Sequence, residues 1–266
     1  MSIYDFHRGA TPLLISIPHA GTEVPQEIAR SFTPAGRELP DTDWYVHQLY
    51  DFAKQMGASI IKANYSRYVA DLNRAPDSMS LYLANPTSPV CAAQTFAGEA
   101  IYEDGYSPNA LEVQQRVAQY WQPYHERIAA ELEGIRREHD VALLWDAHSI
   151  ASEIPALFPG LLPEFNLGTR DDAACPAHIV RALADEVCSS GRFSVAVNGR
   201  FKGGYITMHY GKPAAGIYAV QLELAERTYM MESPRGAWDA ARALAAMQCI
   251  ERLLVRYLRF AATPIG

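Results

Sequence analysis

The residues best suited to chemistry stand at the ends of three apolar runs. LLISIPHAG (13–21) leads to His19, ALLWDAHS (142–149) to Asp146 and His148, and AVQLELAE (219–226) carries Glu223 near its end. Imidazoles and carboxylates gathered from separate strands are what a catalytic divalent-metal site needs: three protein ligands and a fourth position left for water. One strand-end histidine alone is commonly an ordinary hydrogen-bonded residue, so the weight rests on the combination. The third ligand has three candidates. Asp41 and Asp43 flank Thr42 in LPDTDW (39–44), ahead of an amphipathic segment (44–56) whose N-cap and first turn would suit an acid. Glu23 lies four residues after His19, on the same loop.

Cationic groups form two further constellations. In SRYVADLNR (66–74), period-two alternation puts Arg67 and Asp71 on one side. Asp71 could hold a guanidinium in place, and a fixed guanidinium beside an amide receives a carboxylate well, because its fork of donors matches two oxygens. Arg67, Asn73 and Arg74 are the groups concerned. In NGRFKGGYITMHYG (198–211), Arg200, Lys202 and His209 surround two glycines that suit a tight turn or a close backbone approach. The stretch lacks the spacing of a phosphate-binding loop.

The elements that must position these groups alternate between strand and helix. Short apolar, β-branched runs predict strands at 12–17, 58–63, 141–147, 193–198 and 217–225. Between Ser107 and His139, apolar residues recur every three or four positions, with Ser107 and Pro108 at the start and Pro123 as a kink or division. A last helix is expected over about 234–260. The Pro-, Ser- and Gly-rich stretch 75–109 reads as a long surface excursion of the kind that often serves as a lid. The fold class expected is α/β, with ligands beyond the carboxyl ends of the strands.

Composition narrows the partners. The 266 residues, 49% hydrophobic, can bury a large core, and no apolar stretch approaches the roughly 20 residues of a membrane helix. No signal-peptide pattern stands out, so a cytoplasmic location is expected. A net charge of −7 without a basic run argues against nucleic acid and anionic membranes, and favours a small molecule. Cys91, Cys175, Cys188 and Cys249 are scattered, with neither a disulfide framework nor a cysteine zinc site.

The ordered set LLISIPHAG, LPDTDW, SRYVADLNR, LLWDAHSI, FNLGT, NGRFKGGYITMHYG and VQLELAERTYM resembles the N-formylglutamate amidohydrolase family, the deformylases of histidine breakdown, from Pro12 to about Met231. The resemblance implies a single α/β domain over 1–266, with a mixed, mostly parallel sheet flanked by helices and similar to zinc carboxypeptidases and aspartoacylases. It implies metal-dependent hydrolysis of N-formyl-L-glutamate to formate and L-glutamate, the last step of a histidine degradation route. Carried over by motif, His19 and His148 are metal ligands and Glu223 is the general base. Asn73 and Arg74 hold a substrate carboxylate, and Arg67 polarises the formyl oxygen or binds the second carboxylate, a role open also to Arg200 and Lys202, while His209 contacts the substrate and helps Arg67 at the oxyanion. The wider group carries a His-x-x-Glu pair, whereas residue 22 here is threonine. The expectation for the third ligand is therefore Asp41 before Asp43. The ion expected is Zn2+, with Fe2+, Co2+ or Mn2+ compatible with the same ligands. Rival readings are a deacylase of another N-acyl acidic amino acid and a metal-free carboxylate-binding protein; oligomeric state is left open.

Overall fold

Alternate residues of the central strands face two different helical layers, and that division positions the functional groups. The computed structural model describes residues 2–77, 89–232 and 236–261. Its main sheet has seven strands: β1 (Tyr4–His7), β2 (Leu13–Ile17), β3 (Ser59–Ala63), β4 (Ala142–Ile150), β5 (Phe165–Gly168), β6 (Val195–Val197) and β7 (Ile217–Ala225). Their spatial order is β1-β3-β2-β4-β7-β5-β6. β3, β2, β4 and β7 run parallel, β1 is antiparallel to β3, and the β5–β6 pair is antiparallel to β7. The expected mixed, mostly parallel sheet is present.

Five longer helices cover the sheet: α1 (Ala110–Arg116), α2 (Gln122–His139), α3 (Ala177–Ser189), α4 (Tyr205–Tyr210) and α5 (Ala240–Ala261). Leu13, Ile15, Ile17, Leu143, Trp145, Val220, Leu222 and Leu224 pack with α3 and α5 in one core. Leu14, Leu144 and Ala219 pack on the other side with Tyr124, Ile128 and Leu132 of α2 and with Ile206 of α4. β4 and β7 are buried on both faces, so they read as continuous apolar runs rather than as alternating ones.

Several boundaries differ from the sequence expectation for local reasons. α1 begins after Asn109, whose side chain accepts from the Leu111 and Glu112 N–H groups while Glu112 accepts from Asn109 N. This capping box outcompetes Ser107 as the start. The segment is divided just ahead of Pro123, where a five-residue π turn over Val117–Trp121 separates α1 from α2 and Pro123 stands in the first turn of α2. α5 starts later than expected because Asp239 accepts from Ala241 and Arg242 N–H. The segment 44–56 forms only two short turns, Val46–Leu49 and Asp51–Lys54. Within the excursion 75–109, residues 78–88 lie outside the described residues; Val90 accepts from Asp71 N, tying the far end of the excursion to the site.

Candidate metal centre

One face of the sheet changes character along its length. Leu14 gives way to Ser16, Leu144 to Asp146 and His148, and Ala219 to Gln221 and Glu223. In register, Ser16 lies beside Asp146, Asp146 beside Gln221, and His148 beside Glu223. The parity that directs Leu144 at α2 thus directs Asp146 and His148 to the same side further along. His19 follows β2 through Pro18 and joins them, its ring centroid 4.8 Å from that of His148.

The third member is Asp43. Its backbone N–H donates to the His19 carbonyl, which draws the two loops together. Ligand atoms of His19, Asp43 and His148 lie within 4.8 Å of one another, and all three residues are buried. His19 Nε2 is 2.7 Å from Asp71 Oδ1, so that nitrogen donates and the Nδ1 lone pair is free; Nδ1 is buried with no hydrogen-bond partner and lies 3.8 Å from Asp43 Oδ2. His148 Nδ1 is 3.1 Å from Asp43 Oδ2, and its Nε2 is 3.1 Å from Asp146 Oδ2. Each imidazole therefore has one nitrogen braced by a carboxylate and the other turned toward Asp43, the arrangement that fixes ring orientation in histidine metal ligands. An orphaned imidazole nitrogen, a second one and a carboxylate oxygen at one buried spot fit a divalent cation.

Charge around this spot is strongly coupled. Burial opposes the Asp71 carboxylate, but Arg67, His19 and Arg74 hold it well below the usual range. Burial likewise works against Asp43, and His148, His19 and Arg67 outweigh it. Burial depresses His19, whereas Asp146 and Asp43 overcome the same effect at His148 and raise it well above its ordinary value. Burial pushes Glu223 up to about 8. The Arg67 guanidinium donates to Asp71 Oδ2 at 2.7 Å, lies 3.7 Å from Asp43 Oδ1 and stacks 4.6 Å over the Phe96 ring.

The expected site residues divide accordingly. His19, His148, Glu223 and Arg67 come together. Asp41 is a correction: its carboxylate accepts from the Tyr68 hydroxyl at 2.7 Å and from Phe96 N–H at 2.9 Å, so it anchors the Phe96 loop, and Asp43 stands with the histidines. Glu23 is exposed, its backbone paired with Asn64 and Ser66. Asn73 Oδ1 accepts from Ile206 N–H, and its Nδ2 lies 3.3 Å from Asp146 Oδ2 and 3.0 Å from His148 Nε2, so its amide braces the cluster. Arg74 is half-buried beside it. Arg200 donates to the Leu157 carbonyl, Lys202 pairs with Asp171, and His209 stacks on Tyr205. Sequence reading names Asp146 among the strand-end groups without a specific role and does not single out Glu226, which lies just past the end of β7. Glu226 is buried and pushed to about 8 by burial, then by Glu232, Asp43 and Glu223.

The N-formylglutamate amidohydrolase family model matches residues 11–230. An N-formylglutamate deformylase of Pseudomonas putida is 44% identical over 260 residues, covering 98% of this chain and 97% of the relative. One from Pseudomonas aeruginosa is 46% identical over 253 residues, covering 95% and 94%. Among solved structures, the N-formylglutamate amidohydrolase of Ralstonia eutropha JMP134 superposes with a TM-score of 0.79 at 23% identity over 98% of both chains. A protein from Agrobacterium tumefaciens gives 0.76 at 14% identity, over 99% of this chain and 97% of the other. With most of its length matched by the family and by relatives well above 30% identity, the chain belongs to the N-formylglutamate amidohydrolase family.

Proposed function

We propose that the protein is a metal-dependent deformylase that hydrolyses N-formyl-L-glutamate to formate and L-glutamate, with the whole chain, 1–266, acting as one domain. The observation that carries the metal is the orphaned, buried Nδ1 of His19 facing Asp43 and His148. The substrate is supported by family membership and by the names of the two Pseudomonas relatives. His19, Asp43 and His148 hold one divalent ion, with zinc the best match to two imidazoles and a carboxylate. That ion supplies Lewis acidity, polarising the formyl carbonyl and lowering the pKa of water toward about 7.

The chain's own groups do the rest. Glu223 accepts a proton from the attacking water and delivers it to the departing glutamate nitrogen, so that a neutral amine leaves as the C–N bond breaks; such general acid/base steps contribute typically 10²- to 10⁴-fold. Arg67, held by Asp71, directs positive charge toward the developing oxyanion. Arg74 receives a substrate carboxylate. A reaction of this kind belongs in the cytoplasm, in keeping with the four unpaired cysteines.

Formate release from N-formyl-L-glutamate, measured with the metal-loaded protein, after chelation and after zinc is restored, tests the reading. Activity is expected to vanish with the metal and return with it, and acetate release from N-acetyl-L-glutamate should be far slower. Undiminished formate release from protein shown by elemental analysis to be metal-free would overturn the metal role.

A further inference from the structure

Gln221 stands two residues before Glu223 on β7, on the same face of the sheet, and is 4% exposed. It makes two side-chain hydrogen bonds of defined direction. Its Oε1 accepts from Gly204 N–H at 2.7 Å, and its Nε2 donates to Glu223 Oε2 at 3.0 Å. The backbone N–H can only donate, so the amide cannot flip without losing that bond and turning its own oxygen against a carboxylate.

The backbone reaches Gln221 because of a specific packing arrangement. Gly168 is the β5 partner of Gln221, and a Cβ at Gly168 would lie 2.5 Å from Gly203 N. Having no side chain there, the sheet admits the 202–204 segment across its face. Gly203 bends the chain at φ 105°, and a Cβ on Gly204 would lie 2.4 Å from Asn73 Nδ2. The glycine pair thus delivers one N–H to Gln221 while leaving room for Asn73, whose Oδ1 is held by Ile206 N–H. The KGGY segment is a scaffold for site carboxylates.

From this we infer that Gln221 is a positioning residue for the general base: clamped by Gly204 N–H, it holds Glu223 Oε2 and leaves Oε1 as the oxygen that takes and returns the proton. Its action is confined to the proton-transfer step, because none of its bonds reaches His19, Asp43, His148 or Arg74. The inference rests on Glu223 being the base.

A double-mutant cycle in the zinc-loaded enzyme tests it, with formate release, metal content and calorimetric L-glutamate binding as readouts. Gln221→Met, similar in volume without either hydrogen bond, should lower kcat by about 10- to 100-fold, the usual range for outer-shell partners. KM, metal content and L-glutamate affinity should stay within about threefold. In a Glu223→Gln background, Gln221→Met should lower the residual rate by less than twofold, because its target is gone. Equal losses in both backgrounds would make Gln221 a structural residue and overturn the inference, as would an unchanged kcat in the single variant. Where Gln221→Met does not fold, Gln221→Asn carries the same test, since the shortened neutral amide can no longer span Gly204 N–H and Glu223 Oε2. A Glu223→Gln enzyme with wild-type kcat would instead refute Glu223 as the base, a result recognisable before Gln221 is touched.

Discussion

At the scale of single residues, the choice between Asp41 and Asp43 turns on contacts that no local pattern encodes. Both acids flank Thr42, and both would suit a helix start. What separates them is a tertiary bond, Asp43 N–H to the His19 carbonyl, together with a backbone that enters and leaves the turn at positive φ, 50° at Leu39 and 61° at Tyr45. Such conformations in non-glycine residues cluster at functional sites. The two aspartates should therefore part company on mutation. Asp43→Asn is expected to weaken zinc binding by at least about 100-fold in chelator competition, whereas Asp41→Asn keeps stoichiometric metal and loosens the Phe96 loop. Asp71→Asn leaves His19, Asp43 and His148 in place and removes the charge that faces both His19 Nε2 and Arg67, so an intermediate loss of about 10- to 100-fold is expected. Full metal retention by Asp43→Asn would exclude it as a ligand. The histidines themselves were legible from sequence because strand parity and strand ends are local properties; their carboxylate braces come from other segments and were only partly so.

At the scale of elements, α2 does more than cover an apolar face. Trp121 Nε1 donates to the Arg74 carbonyl and His125 Nε2 to the Leu72 carbonyl, so the helix start grips the 71–74 loop that carries Asp71 and Asn73. His125 stacks on Trp121 and Tyr210, and burial drives its pKa from 6.5 down to about 3. The folded protein keeps it neutral while the unfolded chain takes up a proton below about pH 6.5. Its contribution to stability is therefore complete above pH 6.5 and falls as pH drops toward about 3, by up to about 1.4 kcal/mol per pH unit. Glu223 and Glu226 act with the opposite sign, since their raised values favour the protonated fold as pH falls from about 8. Comparison with His125→Gln isolates the histidine. The stability advantage of the wild type in urea unfolding should shrink by about 2 kcal/mol between pH 7 and pH 5; a constant difference would mean that His125 is protonated in the fold. The same region shows where element reading stops. The strands at 13–17, 59–63, 142–150 and 217–225 announce themselves by length and β-branching, but β5 has four residues, ends in glycine and is recognisable only through its pairing with β7.

At the scale of the whole molecule, the sheet concentrates charge that its interior would otherwise reject. Asp43, Asp71, Asp146, Glu223 and Glu226 are all buried around one spot, with Arg67 as the buried guanidinium among them. Removing one partner from such a cluster leaves an uncompensated charge in a poorly solvating interior. His19, Asp43 and His148 come from the loop after β2, the turn at 41–45 and β4, elements far apart in sequence, so an ion bound there would tie them together only in the fold. Binding to the native state alone stabilises it by RT ln(1 + [L]/Kd), about 4 kcal/mol at a thousandfold excess over Kd. For a chain of this size that corresponds to a melting temperature higher by roughly 10 °C. Thermal unfolding followed by circular dichroism, with zinc and after complete chelation, should show a drop of that order, restored by adding zinc. The drop should be largely absent in Asp43→Asn, which starts without the ion. A wild-type melting temperature unmoved by verified metal removal would mean that the buried carboxylates are balanced by protons and Arg67 alone, and that His19 Nδ1 faces no cation in the folded protein.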